Sequence, residues 1–220
     1  MHAKRMSASG WAALQLLAAT CPTLAQSAGA PDPWTLLGEV RRRLASEGAI
    51  ATDFVQTYTP NGFTSGEKES GQLALAVPDC LRWDYEEPFP KGFLLCGEIA
   101  YQWTPGEPTG RRIQVEARQQ AGLDLFLLPV AALQERYLAT VEPKGELIEV
   151  ELVPKSSTLG LKQARLALDA ATLRPRWLAY SDLEGNRSRF DFSAYRTLAD
   201  RDAFTPPPEV DWRDERPPHI

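Results

Sequence analysis

Two cysteines stand eight residues either side of Pro88, in the run Cys80-Leu81-Arg82-Trp83-Asp84-Tyr85-Glu86-Glu87-Pro88-Phe89-Pro90-Lys91-Gly92-Phe93-Leu94-Leu95-Cys96. Thiols so placed could form a disulfide, a redox couple or part of a metal site. A metal site is short of ligands. The two histidines are His2 and His219, at the extreme ends of the chain, and a structural zinc asks for more donors than two cysteines supply. The same scarcity removes histidine-dependent triads and the zinc hydrolase motif. Glu86-Glu87 is a carboxylate pair, but it sits beside a turn in a polar setting, as a solvated loop would. No phosphate-cradling glycine loop and no nucleophile elbow occurs. The sequence therefore argues against an enzyme, with no cofactor and no metal expected. A formal net charge of −5 with scattered lysine and arginine also argues against nucleic acid, which needs a basic face.

The N-terminus has the grammar of a secretory signal peptide: charged Lys4 and Arg5, an apolar run from Trp11 to Ala19, then Thr23-Leu24-Ala25. The run is too short to span a bilayer. Cleavage after Ala25 or Ala28 would export the chain. It would remove two of the 24 basic groups and none of the 29 acidic ones. Ala18-Ala19-Thr20-Cys21 departs from a lipobox at two positions, so lipidation of Cys21 is the alternative. With residues 1–25 removed, Cys80 and Cys96 are the two cysteines left in an oxidising compartment, which favours a disulfide. The remainder divides into a single domain over 32–212 and a flexible tail over 213–220.

Asp32-Pro33 starts a helix whose stripe is Leu36, Leu37, Val40 and Leu44, and Gly48 ends it. From there the period changes to two. Eleven strand candidates follow: Ala51–Thr59, Ser70–Val77, Leu81–Glu86, Gly92–Leu95, Ile99–Thr104, Arg111–Ala117, Leu138–Glu142, Leu147–Val153, Leu161–Asp169, Arg174–Ser181 and Arg187–Arg196. Leu123–Tyr137 interrupts them with Phe126, Val130, Leu133 and Tyr137 at helical spacing, and Pro129 suits the first turn of a short helix. Most strands offer one apolar face: Leu73, Leu75 and Val77; Leu81, Trp83 and Tyr85; Ile99, Tyr101 and Trp103; Ile148, Val150 and Leu152; Leu166 and Leu168; Leu178 and Tyr180; Phe190 and Phe192. This predicts a mainly β, α+β fold. About eleven antiparallel strands would curl into a barrel or half-barrel with the apolar side inward. A barrel that wide leaves a cavity unless something plugs it, and the N-terminal helix and the Leu123–Tyr137 helices are the available plugs. Pattern alone leaves a packed core and a ligand cavity both open.

The motifs, in order, resemble the LolA family of periplasmic lipoprotein carriers from about Trp34 to Trp212. They are Phe54-Val55-Gln56; Gly71-Gln72-Leu73 running to Pro78; Leu81-Arg82-Trp83-Asp84-Tyr85 with Pro88; Gly97 with Tyr101 and Trp103; Leu152-Val153-Pro154-Lys155; Asp182, Gly185-Asn186 and Phe190-Asp191-Phe192; and Phe204 with Pro206-Pro207 and Val210. The resemblance implies an incomplete β-barrel closed by a helical lid, with acyl chains held on the concave face. It implies a monomer in the periplasm that takes lipoproteins from an inner-membrane ABC transporter, LolCDE, and delivers them to an outer-membrane receptor, LolB. The inward bulky positions are then the expected lipid contacts: Phe54, Leu73, Leu75, Leu81, Trp83, Phe93, Leu95, Tyr101, Trp103, Ile148, Val150, Leu166, Leu178 and Phe190. Phe126, Leu127 and Leu133 would form the lid. Two positions depart from the pattern. Val77 replaces the basic residue that many members carry before the strand-ending proline as a lid latch, and Cys96-Gly97 replaces an Asp-Gly turn. A carrier of another amphiphile such as a glycolipid, a LolB-like acceptor anchored through Cys21, and a periplasmic sensor on a related fold are the alternatives.

A hairpin centred on Pro88 sets Trp83 opposite Phe93, Leu81 opposite Leu95 and Cys80 opposite Cys96. The apolar pairs share one face and the cysteines take the other. Facing residues of an antiparallel pair lie within disulfide reach, so a Cys80–Cys96 bond is expected.

Overall fold

The computed structural model describes residues 31–115 and 124–215. The expected signal peptide, Cys21, the Glu116-Ala117 end of one strand candidate, Leu123 of the lid segment and the last residues with His219 lie outside the described residues.

Helix α1 spans Pro33–Ser46. The Asp32 carboxylate caps it, accepting from the Thr35 N–H at 2.8 Å, and Pro33 occupies the first position, where no amide is missed. Leu36, Leu37, Val40 and Leu44 are buried, as their spacing requires. Gly48 follows with φ 76°, a left-handed conformation that suits glycine.

Twelve strands follow: β1 Ile50–Thr59, β2 Glu67–Ala76, β3 Cys80–Glu87, β4 Lys91–Cys96, β5 Ile99–Trp103, β6 Thr109–Gln114, β7 Tyr137–Lys144, β8 Leu147–Pro154, β9 Leu161–Asp169, β10 Pro175–Asp182, β11 Arg187–Thr197 and β12 Asp211–Glu215. Two short helices, α2 Asp124–Leu127 and α3 Val130–Arg136, separate β6 from β7. Pro129 is the residue before α3 rather than inside it. All twelve strands make one sheet in the order β12-β6-β5-β4-β3-β2-β1-β11-β10-β9-β8-β7. The two ends of that order are not paired to each other, so the barrel is incomplete. Its curvature shows in ring contacts. Trp83 on β3 lies 5.7 Å from Phe190 on β11, although β2 and β1 stand between those strands in the sheet.

All eleven strand candidates are strands. The twelfth, β12, runs parallel to β6, and its residues 213–215 belong to the segment expected to be a flexible tail. Its sequence, Asp-Trp-Arg-Asp-Glu, has no period-two apolar signal. Arg112–Asp214 and Arg111–Glu215 ion pairs, each at 3.2 Å, accompany the pairing.

The register of β3 with β4 is Cys80↔Cys96, Leu81↔Leu95 and Trp83↔Phe93. Cys80 and Cys96 are joined by a disulfide with their Cα atoms 4.2 Å apart. The hairpin arithmetic about Pro88 therefore holds.

One face was misread. Tyr101 and Trp103 do not point inward. The β4–β5 turn has two residues, Gly97 and Glu98, so Cys96 pairs with Ile99 and Leu95 with Ala100. Side chains alternate across a strand, which places Ile99, Tyr101 and Trp103 on the cysteine face. The convex side is dry there because the C-terminal segment covers it. Trp103, Leu94 and Cys80 are buried with Phe204 and Val210 in a second apolar cluster. Tyr101 and Trp103 meet Trp212 edge-on at 4.9 and 6.2 Å. Trp103 also lies across Gly92, where a Cβ would come within 2.2 Å of the indole; only glycine allows this approach.

Candidate functional site: an apolar cavity beside the lid

The main core fills the concave face. α1 contributes Leu36, Leu37, Val40 and Leu44, and the α2–α3 segment contributes Leu125, Phe126 and Leu133. Under them are Phe54, Leu73, Leu75, Val150, Leu166 and Leu178, each at most 2% exposed, with Ile148 packed alongside. These seven expected lipid contacts are, in this closed form, packed side chains of the core. Phe126 and Leu133 are buried and Leu127 is half-buried against the same cluster.

The helices do not cover the whole face. A cavity of about 350 Å³ stays open over β3 to β6, with the far wall supplied by β10 and β11. That size falls within the roughly 300–1,000 Å³ of small-molecule sites. Six expected contacts line it: Leu81, Trp83, Phe93, Leu95, Tyr101 and Phe190. Tyr85, Leu94, Ala100, Gln102, Ile113, Val115 and Tyr180 complete the wall and were not in the expected set. Tyr85 and Tyr180 lie in phase with bulky inward neighbours, so strand alternation could have found them. Ala100 and Gln102 carry no such signal, because a small and a polar residue read as outward. Tyr101 borders the cavity, but its ring packs on Trp212.

Polar groups at one edge of this space satisfy one another. The Tyr85 hydroxyl donates to Gln56 Oε1 at 2.6 Å. Burial, with the Glu69 carboxylate and Tyr180 nearby, pushes its pKa above the ordinary phenol value, so Tyr85 stays a neutral donor. Lys91 lies 4.4 Å from the Tyr85 ring centroid and pairs with Glu69 at 2.6 Å. Nothing in this arrangement generates a nucleophile. It offers apolar surface with one polar edge.

The α2–α3 segment, the expected lid, is fastened from a position that the sequence did not reveal. Arg41 on α1 is half-buried. It donates to the carbonyls of Phe126 and Leu127, at 2.5 and 3.1 Å. These carbonyls end α2, where a helix leaves acceptors without intrahelical partners. Burial lowers the Arg41 pKa from its ordinary value, yet arginine remains cationic. Val77, at the expected latch position, packs against the apolar core instead. Replacing Arg41 by leucine removes two charge-assisted bonds together with the cost of burying the guanidinium. A net loss of about 2 kcal/mol corresponds to an α2–α3 segment that opens about 30-fold more often. Hydrogen exchange should show this as faster exchange across α2 and α3 with the β1–β11 amides unchanged. Unaltered exchange in α2 would show that Arg41 does not hold this segment.

Residues 46–206 match the family model described as outer membrane lipoprotein carrier protein LolA. The chain belongs to the LolA family. Its members are carriers, not enzymes. Among its relatives, an outer-membrane lipoprotein carrier protein of Shewanella sediminis is 26% identical over 186 residues, covering 81% of this chain and 86% of that one. A carrier of the same name from Chromobacterium violaceum is 26% identical over 203 residues, covering 87% and 94%. The crystal structure of an uncharacterised conserved protein from Thermus thermophilus shares the fold at a TM-score of 0.51 and 10% identity, covering 81% of this chain and 98% of that one. Membership of the family fits the open, curved sheet, and the disulfide joins the hairpin that carries Leu81, Trp83, Tyr85, Phe93 and Leu95 of the cavity wall.

Proposed function

We propose that this LolA-family protein works in the periplasm, holding the acyl chains of lipoproteins in the cavity over β3 to β6. It would receive them from an inner-membrane transporter of the LolCDE type and pass them to an outer-membrane receptor of the LolB type. The observation that carries the reading is the pairing of an apolar cavity with a lid held by two hydrogen bonds. The physical need is clear. Exposing a buried methylene to water costs about 0.8 kcal/mol, so an acyl chain of roughly fifteen costs on the order of 12 kcal/mol. Spontaneous crossing of an aqueous gap is then far too slow. A carrier needs no chemistry, only a dry surface of comparable quality and a door. Opening the lid exposes the core under Phe126 and Leu133, so the energy for loading would come from the donor.

The test is a release assay. Inner-membrane vesicles bearing a labelled lipoprotein and an energised transporter are mixed with the purified protein. Lipoprotein should appear in the supernatant bound to it. No release, with no acylated material bound, would refute the proposal.

A further inference from the structure

Within the cavity wall one polar atom has no partner. The Nε1 of Trp83 is the single buried side-chain nitrogen or oxygen without a hydrogen bond among the described residues. Trp83 itself is 4% exposed. Its nearest aromatic neighbours offer ring faces and edges rather than an acceptor: Phe54 stands edge-on at 6.5 Å and Phe190 is tilted at 5.7 Å. The Tyr85 hydroxyl, on the same wall, donates to Gln56, and its oxygen does not accept from Trp83. An unpaired buried donor is an expense that folded proteins rarely carry, and it costs about 1–3 kcal/mol. A plain aromatic ring would fill the same space without it.

Resting on the carrier reading above, we propose that Trp83 Nε1–H is the ligand-recognition donor of this cavity. It donates to the carbonyl oxygen of an ester or amide that joins an acyl chain to its head. An indole N–H can only donate, so its partner must be an acceptor. A carboxylate would bring an uncompensated charge into apolar surroundings, which is costly. A hydrocarbon chain alone offers nothing. A neutral acyl carbonyl supplies the acceptor with no charge to bury. In the closed, empty form the N–H is sealed off; on loading, as the lid gives way, the carbonyl reaches it and removes the penalty. The site therefore recognises the acyl linkage as well as the chain, and sets how far the chain enters.

The experiment compares two probes below their micelle concentrations: a palmitoyl lysophospholipid, which has an ester carbonyl, and its hexadecyl ether analogue, which has none. The wild-type protein should bind the ester about tenfold more tightly, the equivalent of one hydrogen bond. Trp83→Phe keeps the ring and removes the donor, and should bind the two probes equally. In the wild-type proton–nitrogen spectrum, the indole signal lost in Trp83→Phe should move downfield with the ester and not with the ether. Equal wild-type affinity for both probes, or a preference that survives Trp83→Phe, would overturn this proposal and leave the carrier reading intact. Binding of neither probe by the wild-type protein would overturn this proposal, and the release assay then decides the carrier reading by itself.

Discussion

Phe93→Glu is expected to abolish acyl-chain binding while the chain stays folded. Phe93 lines the cavity and is only half-buried, with its ring 6.0 Å from Tyr85. In the empty protein a glutamate at this position can keep its carboxylate hydrated through the open cavity. A bound acyl chain would drive that water out and leave a carboxylate against hydrocarbon. The effective penalty of desolvating such a charge is several kcal/mol. Affinity should therefore fall at least about 100-fold. Displacement of a fluorescent acyl probe reads the affinity, and circular dichroism checks the fold. Undiminished binding would mean that ligands do not use the space over β3 to β6.

Removing the disulfide is the second large effect. Cys80 and Cys96 are separated by 16 positions, and the bond closes a loop of about fifteen residues. In the chain-entropy model such a closure is worth about 3 kcal/mol, because it restricts the unfolded chain. The double variant Cys80→Ala/Cys96→Ala should lower unfolding stability by about that amount in urea, with the slope of the transition changed by the freer unfolded chain. Its consequence reaches the cavity, because Leu81, Trp83, Phe93 and Leu95 sit on the opposite face of the same hairpin. A loss under about 1 kcal/mol would show that the hairpin is held by its ladder and its apolar pairs, without help from the bond.

How legible this protein was in its sequence depended on what each strand had on either side. β3 and β8 alternate between bulky apolar and charged residues, with Arg82, Asp84, Glu149 and Glu151 between the apolar positions, so their inward residues were readable. β5 alternates just as cleanly, yet its bulky residues point outward. The C-terminal segment supplies Phe204, Val210 and Trp212 as a second apolar layer, and bulk then ceases to mark the inside. The turn at Gly97-Glu98 held the correction: it locks Ile99 to Cys96, and so Tyr101 and Trp103 to the disulfide face. β12 escaped because parallel pairing at an edge, accompanied by ion pairs, leaves no apolar period.

The site was legible only in part, for a related reason. Phe54, Leu73, Leu75, Val150, Leu166 and Leu178 face inward as read, but which inward positions lie under helices depends on where α1 and the lid come to rest. That placement is tertiary and leaves no local trace. Arg41 shows this most plainly. In the sequence it is one of three consecutive arginines on an amphipathic helix, and a solvated face is the natural reading. Only the approach of α2 to α1 singles it out from Arg42 and Arg43, which pair with Glu39 on the helix surface.

The central claim, that lipid sits against β3 and β4 in this cavity, has a direct test. A photo-crosslinking phenylalanine is placed at Phe93 in the cavity wall, and separately at Leu138, which is 61% exposed on β7. Each protein is loaded with lipoprotein from energised inner-membrane vesicles and irradiated. Adducts to the acyl chains should form from position 93 and not from position 138. Acyl adducts from both positions alike, or none from position 93 while lipoprotein stays bound, would contradict it.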